Sequence, residues 1–185
     1  MRHLVTHTTA QLLSVALVLA LAVPPVGAMQ PAPATTFTSM QQGMHELRAL
    51  NGRLLMVAGS YHDTTSYKRS MTFYFEVRPG GEWLHVPVIE SEVDHELTLF
   101  SVGKGEETVE DAVLTTQGND HYLIVAEKKA GIVVARWYKF AAAGADYPDG
   151  PAYMFKPVGA NTYAKSANST VATVLQKEVR LRAKQ

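Results

Sequence analysis

The sequence predicts a mostly β protein, an antiparallel two-sheet sandwich or partly open barrel of roughly seven to nine strands, with one short N-terminal helix. Three observations carry this. Apolar residues alternate with polar ones, most clearly where Met71, Phe73, Phe75 and Val77 interleave with Thr72, Tyr74, Glu76 and Arg78. Turn-forming clusters punctuate the chain at Pro79-Gly80-Gly81, Gln117 to Asp120, Lys129-Ala130-Gly131 and Tyr147-Pro148-Asp149-Gly150-Pro151. The composition, 46% apolar and 18% charged over 185 residues, suits one domain with a core of its own.

The first 28 residues have the features of a removable export signal. Arg2 gives a positive start, and Leu12 to Ala22 is apolar apart from Ser14. Pro24-Pro25 then breaks the run, and Val26-Gly27-Ala28 offers a cleavage site. The apolar run is too short to cross roughly 30 Å of hydrocarbon comfortably, so the expected product starts at Met29, carries no membrane span and is periplasmic or extracellular. Residues 29–38 then read as an extended lead-in, rich in Pro, Ala and Thr, and residues 39–185 as a single β-rich domain.

Within the domain, Ser39 and Gln42 form a capping pair, Met40, Met44, Leu47 and Leu50 recur at helical spacing, and Asn51-Gly52 provides a stop. That pattern predicts the helix. Gly43 inside it makes docking on a neighbour necessary. From Leu54 onward the period is two. Leu54 to Ala58, Leu123 to Ala126 and Ile132 to Ala135 are apolar on both faces and need cover on both sides. Leu84, Val86 and Val88 form another inward face, interrupted by Pro87, which cannot donate to a ladder and therefore marks an edge or a bulge. After the polar turn at Glu90-Ser91-Glu92 come Val93, His95, Leu97 and Leu99, and Asp111 to Phe140 reads as a three-stranded meander. Ala152 to Phe155 is a short strand. Val171 to Leu181 fits either a strand or a helix, and the β-branched run from Thr170 to Val174 favours strand.

Charge and chemistry exclude more than they identify. Lys plus Arg and Asp plus Glu both number 17, which leaves no basic footprint for nucleic acid. With no cysteine there is no thiol nucleophile, disulfide or lipid acceptor. Ser101-Val102-Gly103-Lys104 matches a Ser-x-x-Lys pattern, but it lies at a strand end beside glycines, where serine and lysine do not meet. The acids Glu90, Glu92, Asp94 and Glu96 lie at intervals of two on one face of an extended chain, as a solvated face requires. No stretch carries a family signature, and no cofactor is implied.

Three functions are compatible with this sequence. The first is an exported, non-enzymatic binding protein that holds a small apolar or amphipathic molecule. Its pocket would be lined by Phe73, Phe75 and Leu97, with His95 as a polar contact near the mouth. The second is a cell-envelope module that binds a protein partner on a sheet edge or aromatic patch. The third is a metal-binding protein or metal-dependent enzyme, because alternation of strand ends between two rims would put His62, His95 and His121 on the same rim. No local spacing ties these histidines together, and the metal reading ranks last.

Overall fold

The computed structural model describes residues 35–38, 41–62, 67–91, 94–104, 107–145, 147, 149–164 and 169–182. The expected signal and the first part of the lead-in lie outside these residues. No helix among the described residues is long and apolar enough to cross a membrane.

The strands in chain order are β1 (Thr36–Thr38), β2 (Gly43–Ala49), β3 (Gly52–His62), β4 (Tyr67–Glu76), β5 (Trp83–His85), β6 (Val88–Ile89), β7 (His95–Glu96), β8 (Thr98–Lys104), β9 (Glu107–Gln117), β10 (Asp120–Lys129), β11 (Ile132–Ala142) and β12 (Tyr153–Tyr163), followed by the helix α1 (Val171–Arg182). They form one open mixed sheet of twelve strands in the order β2-β3-β4-β8-β9-β10-β11-β12-β6-β7, with β1 added to β9 and β5 to β4. All pairs are antiparallel except β12 with β6. The strand total exceeds the predicted range because β1, β5, β6 and β7 are only two or three residues long, too short to show a period.

Hydrogen bonding is continuous rather than divided between two sheets, because β8 changes partner along its length. Thr98 to Ser101 pair with β4, and Val102 to Lys104 pair with β9. The stretch around Pro87 does the same on the far side. Trp83 to His85 pair with β4, Val86 N–H donates to the Phe73 carbonyl, and the Pro87 carbonyl then accepts from Phe155 N–H on β12. Proline therefore stands at the handover, where its missing N–H is not needed. Inward residues from both parts of the sheet, among them Leu54, Met56, Phe73, Phe75, Leu114, Leu123, Tyr138, Phe140 and Phe155, share one core.

The predicted meander is present as β9, β10 and β11. Its second turn is Ala130-Gly131, both at positive φ (49° and 84°), as a two-residue hairpin loop prefers.

Two elements differ from expectation. The predicted N-terminal helix is the strand β2, which pairs with β3 from Gly43↔Ala58 to Ala49↔Gly52. The spacing of Met44, Leu47 and Leu50 fits a helix, yet His45, Leu47 and Ala49 fit an inward strand face equally well. Gly43, at φ 117°, is not helical. A neighbouring strand offering a full ladder decides such a tie. Thr36–Thr38 likewise joins the sheet, on β9, so the lead-in is not wholly outside the fold.

The C-terminal segment is a helix, not the favoured strand. Thr170 and Thr173 cap it reciprocally, with N–H to Oγ1 bonds of 3.2 and 3.0 Å. Val171, Val174, Leu175 and Glu178 then fall at helical spacing on the buried face. That face docks on Val113, Ile124, Ala126, Val133, Ala135 and Trp137 from the outer side of β9, β10 and β11. The strands that needed cover on both sides obtain it from the C-terminus, and docking outweighs the β-branched run.

Candidate functional site

The helix covers only one part of the sheet's outer surface. Among the described residues, no helix lies over the outer face of β2, β3, β4, β5 and β8. Register aligns that face in rows: Arg48, Arg53, Glu76 and Trp83 form one, and Glu46, Leu55, Tyr74 and His85 the next. Met44, Val57, Thr72 and Thr98 follow. Gly59, Ser70 and Phe100 come after them. Of the large apolar side chains exposed among the described residues, Met44, Tyr61, Trp83 and Phe100 project from this face, and Leu97 sits at its margin.

The aromatic part of the face is fixed from beneath. Glu76, 1% exposed, accepts from Arg53 Nε at 2.6 Å, from Gly80 N–H at 2.7 Å and from the Trp83 indole. Arg53 also bridges to Glu46 at 2.6 Å. Burial alone would push the Glu76 carboxyl up, but the bonds from Arg53, Gly80 and Trp83 outweigh it and hold the group below the usual carboxylate range. Tyr74 stacks on His85 with centroids 4.7 Å apart and lies 5.9 Å from Trp83. His85 Nε2 bonds to the Leu97 carbonyl at 3.1 Å. Trp83, 45% exposed, is thus a restrained aromatic open to solvent. Further along the face lie a hydroxyl pair (Thr72 to Thr98, 3.1 Å) and, beyond it, a cation over a ring (Lys68 above Phe100, 5.9 Å).

The residues proposed from sequence for an interior pocket are separated. Phe73 and Phe75 are fully buried, with rings 4.8 Å from Phe155 and 4.2 Å from Tyr153 respectively. His95 and Leu97 are exposed. The histidines do not meet either. His62 closes β3 at the end opposite Arg53, about 30 Å away along the strand. His121 lies at the Arg53 end, where its Nε2 bonds to the Arg48 carbonyl at 2.8 Å and its Nδ1 to Thr116 at 3.0 Å. The rim argument counted Val93 to Leu99 as one strand reversing direction after Leu84 to Val88. Instead, His95–Glu96 and Thr98–Lys104 are separate strands, and β5 and β8 both run antiparallel to β4, which puts His62 and His121 at opposite ends. Among the described residues, no group of three His, Asp or Glu is arranged to hold a metal ion.

The acidic run is less simply solvated than its spacing implied. Glu90 accepts from the Tyr138 hydroxyl at 2.7 Å, and burial together with that bond pushes the phenol up. Burial, with repulsion from Glu90 and Asp94, raises the Glu96 carboxyl. Burial, with repulsion from Glu127 and Glu96, raises that of Glu110, which faces Glu127 directly across β9 and β10.

Burial lowers the His121 pKa. The folded ring therefore resists a proton that the unfolded chain accepts. Its contribution to stability is complete above the ordinary value of 6.5 and falls as pH drops below it. Urea unfolding from about pH 8 to about pH 5 should show stability flat and then declining, and His121→Gln should remove the decline. A decline of the same size in the variant would place the titration elsewhere.

Sequence reasoning missed Tyr74, Trp83 and His85. The available signal was an aromatic on the polar side of the clearest strand, with two more rings spaced by two just after a turn.

No protein-family model matches the chain, and no curated protein matches it. The crystal structure of CarG is similar, with a TM-score of 0.60 and 22% identity over 72% of this chain and 90% of that one. At that identity the likeness shows the fold alone.

Proposed function

We propose that the chain is an exported, non-enzymatic binding protein of the cell envelope, and that a macromolecular partner docks on the outer face around Tyr74, Trp83 and His85. The observation that carries this is the ring group of Tyr74, Trp83 and His85, held in mutual contact with Trp83 45% exposed, on a sheet face that no described helix covers. Restrained, exposed aromatics are the usual anchors of interaction sites. Export rests on Arg2, the apolar run and the Val26-Gly27-Ala28 site. The coiled sheet is read as a partly open barrel, with Trp83 to Ile89 as its seam.

A second reading keeps a small apolar or amphipathic ligand. A cleft of about 450 Å³ lies between α1 and the β1–β9 pair, lined in part by Val113, Leu175 and Val179. This lies outside the core, where the aromatic side chains pack against one another.

Protein purified from its own compartment should begin at Met29. A photo-crosslinker at position 83 should give a product that excess unlabelled wild type suppresses and a Tyr74→Ser, Trp83→Ser double variant does not. Crosslinking at position 172, in the α1 cleft, serves as the comparison. A specific product only at position 172 would favour the second reading, and a start at Met1 would remove the export claim.

A further inference from the structure

At the hairpin end of β2 and β3 an open groove of about 760 Å³ is lined by Leu47, Leu50, Val77 and Pro79 together with the charged residues Glu46, Arg48 and Arg53. Its size is that of a small-ligand site. The charges around it are unequal in one respect. Arg53 is saturated by Glu46 and Glu76, whereas the Arg48 guanidinium has no ion-pair partner among the described residues. A groove with apolar residues on one part and one guanidinium outside the ion-pair chain on the other complements an apolar body carrying one anionic head.

The turn itself supplies an independent observation. Leu50-Asn51 is a two-residue loop between the paired Ala49 and Gly52, and Leu50 adopts φ 47°. Glycine or asparagine takes that conformation readily, and a branched, bulky residue does so only under strain. In the β10–β11 hairpin the comparable position holds Ala130, with the smallest side chain possible short of glycine. Leu50 is also 59% exposed, so packing in the core does not explain it. Strain kept at an exposed apolar residue on the lip of a groove is expected where that side chain has a use.

We infer that this groove binds a small amphipathic carboxylate, with its head on the Arg48 guanidinium and its tail against Leu47, Leu50, Val77 and Pro79. Arg48 makes a charge-assisted, two-pronged contact with the carboxylate, and the Asn51 amide is at hand as a further donor. The Glu46–Arg53–Glu76 chain fixes the floor and keeps Glu46 from competing for Arg48. The groove adjoins the hairpin end of the docking face and shares Glu46, Arg48 and Arg53 with it, so the test separates the two by substitutions at each.

The test uses the full mature chain and 11-(dansylamino)undecanoic acid as fluorescent probe. The probe should bind one-to-one. Decanoate should displace it, whereas acetate, which has the head alone, and decanol, which has the tail alone, should each be weaker by about tenfold or more. Arg48→Gln should weaken the probe about tenfold with an unchanged melting temperature. Leu50→Gly should raise the melting temperature, by relieving the turn, and weaken the probe. Phe100→Ser, on the docking face but away from the groove and its floor, should leave the probe's affinity unchanged. Equal displacement by decanol, or wild-type affinity in Arg48→Gln, would overturn recognition of the head. Wild-type affinity in Leu50→Gly would overturn the role given to the strained turn, and loss of binding in Phe100→Ser would place the probe on the docking face instead.

Discussion

Truncation of Phe75 to alanine lowers stability by about 3–5 kcal/mol, as for a large aromatic removed from a filled core. The ring is fully buried and sits 5.4 Å from Phe140 and 4.2 Å from Tyr153 between centroids, and Phe140 in turn lies 5.7 Å from Phe155. Removing one member leaves a cavity that neighbours on two different parts of the sheet cannot close together. It also removes the side-chain atom closest to Gly52, where an added Cβ would lie 2.8 Å from Phe75 Cζ and 2.2 Å from the Glu76 carbonyl oxygen. The start of β3 is therefore fitted to this ring. Urea unfolding of Phe75→Ala and Phe75→Leu should give a large loss and a distinctly smaller one. A loss below about 1 kcal/mol for alanine would show that the site is loosely packed and would reopen the interior as a ligand pocket.

Replacement of Glu178 by alanine costs about 2–4 kcal/mol and loosens α1 from the sheet. This carboxylate is 1% exposed. It accepts from Trp137 Nε1 at 2.9 Å, from Asn161 Nδ2 at 2.9 and 3.1 Å, and from the Tyr163 hydroxyl. Burial and that bond push the Tyr163 phenol up to about 12. Three donors from β11 and β12 thus converge on one helical side chain. Alanine leaves the indole N–H buried without an acceptor, while Asn161 and Tyr163, which are less buried, regain water. Glu178→Gln keeps the volume but turns an amide N–H₂ toward converging donors, so it should also destabilise, by about 2 kcal/mol. Chemical denaturation gives the magnitudes, and hydrogen exchange over Val171 to Arg182 reports the helix. If Glu178→Ala unfolds within about 0.5 kcal/mol of wild type, the carboxylate is not what holds α1 in place.

How far the sequence could be read follows from the range over which each feature is determined. Met71 to Glu76 and the β9–β11 hairpins were legible because a local period and a local turn fix them. Ser39 to Leu50 was not, since Met44 and Leu47 satisfy both periods and only the ladder with Leu54 to Ala58 separates them. Val171 to Leu181 failed for a related reason. Its β-branched start is a weak local preference, and its helical face acquires meaning only when Ile124, Ala135 and Trp137 lie beneath it. The requirement that those strands be covered was readable, but the element that would cover them was not. The candidate face was the least legible part. Tyr74 looks like a solvated residue within its own strand, and only its pairing with His85 and the placement of Trp83 over Glu76 turn three scattered rings into one surface.

The handover at Pro87 sets an order of events in folding. Val88 and Phe155 are 67 residues apart in sequence, so their parallel contact closes a long loop. Such closures come late, after the short hairpins whose partners are already adjacent. The helix that covers the other side of the sheet comes later still in the chain. Until the C-terminal part of the polypeptide is present, β9 to β11 lack their outer cover and the seam has no β12 to join. The core is therefore completed only when the last part of the chain has been made.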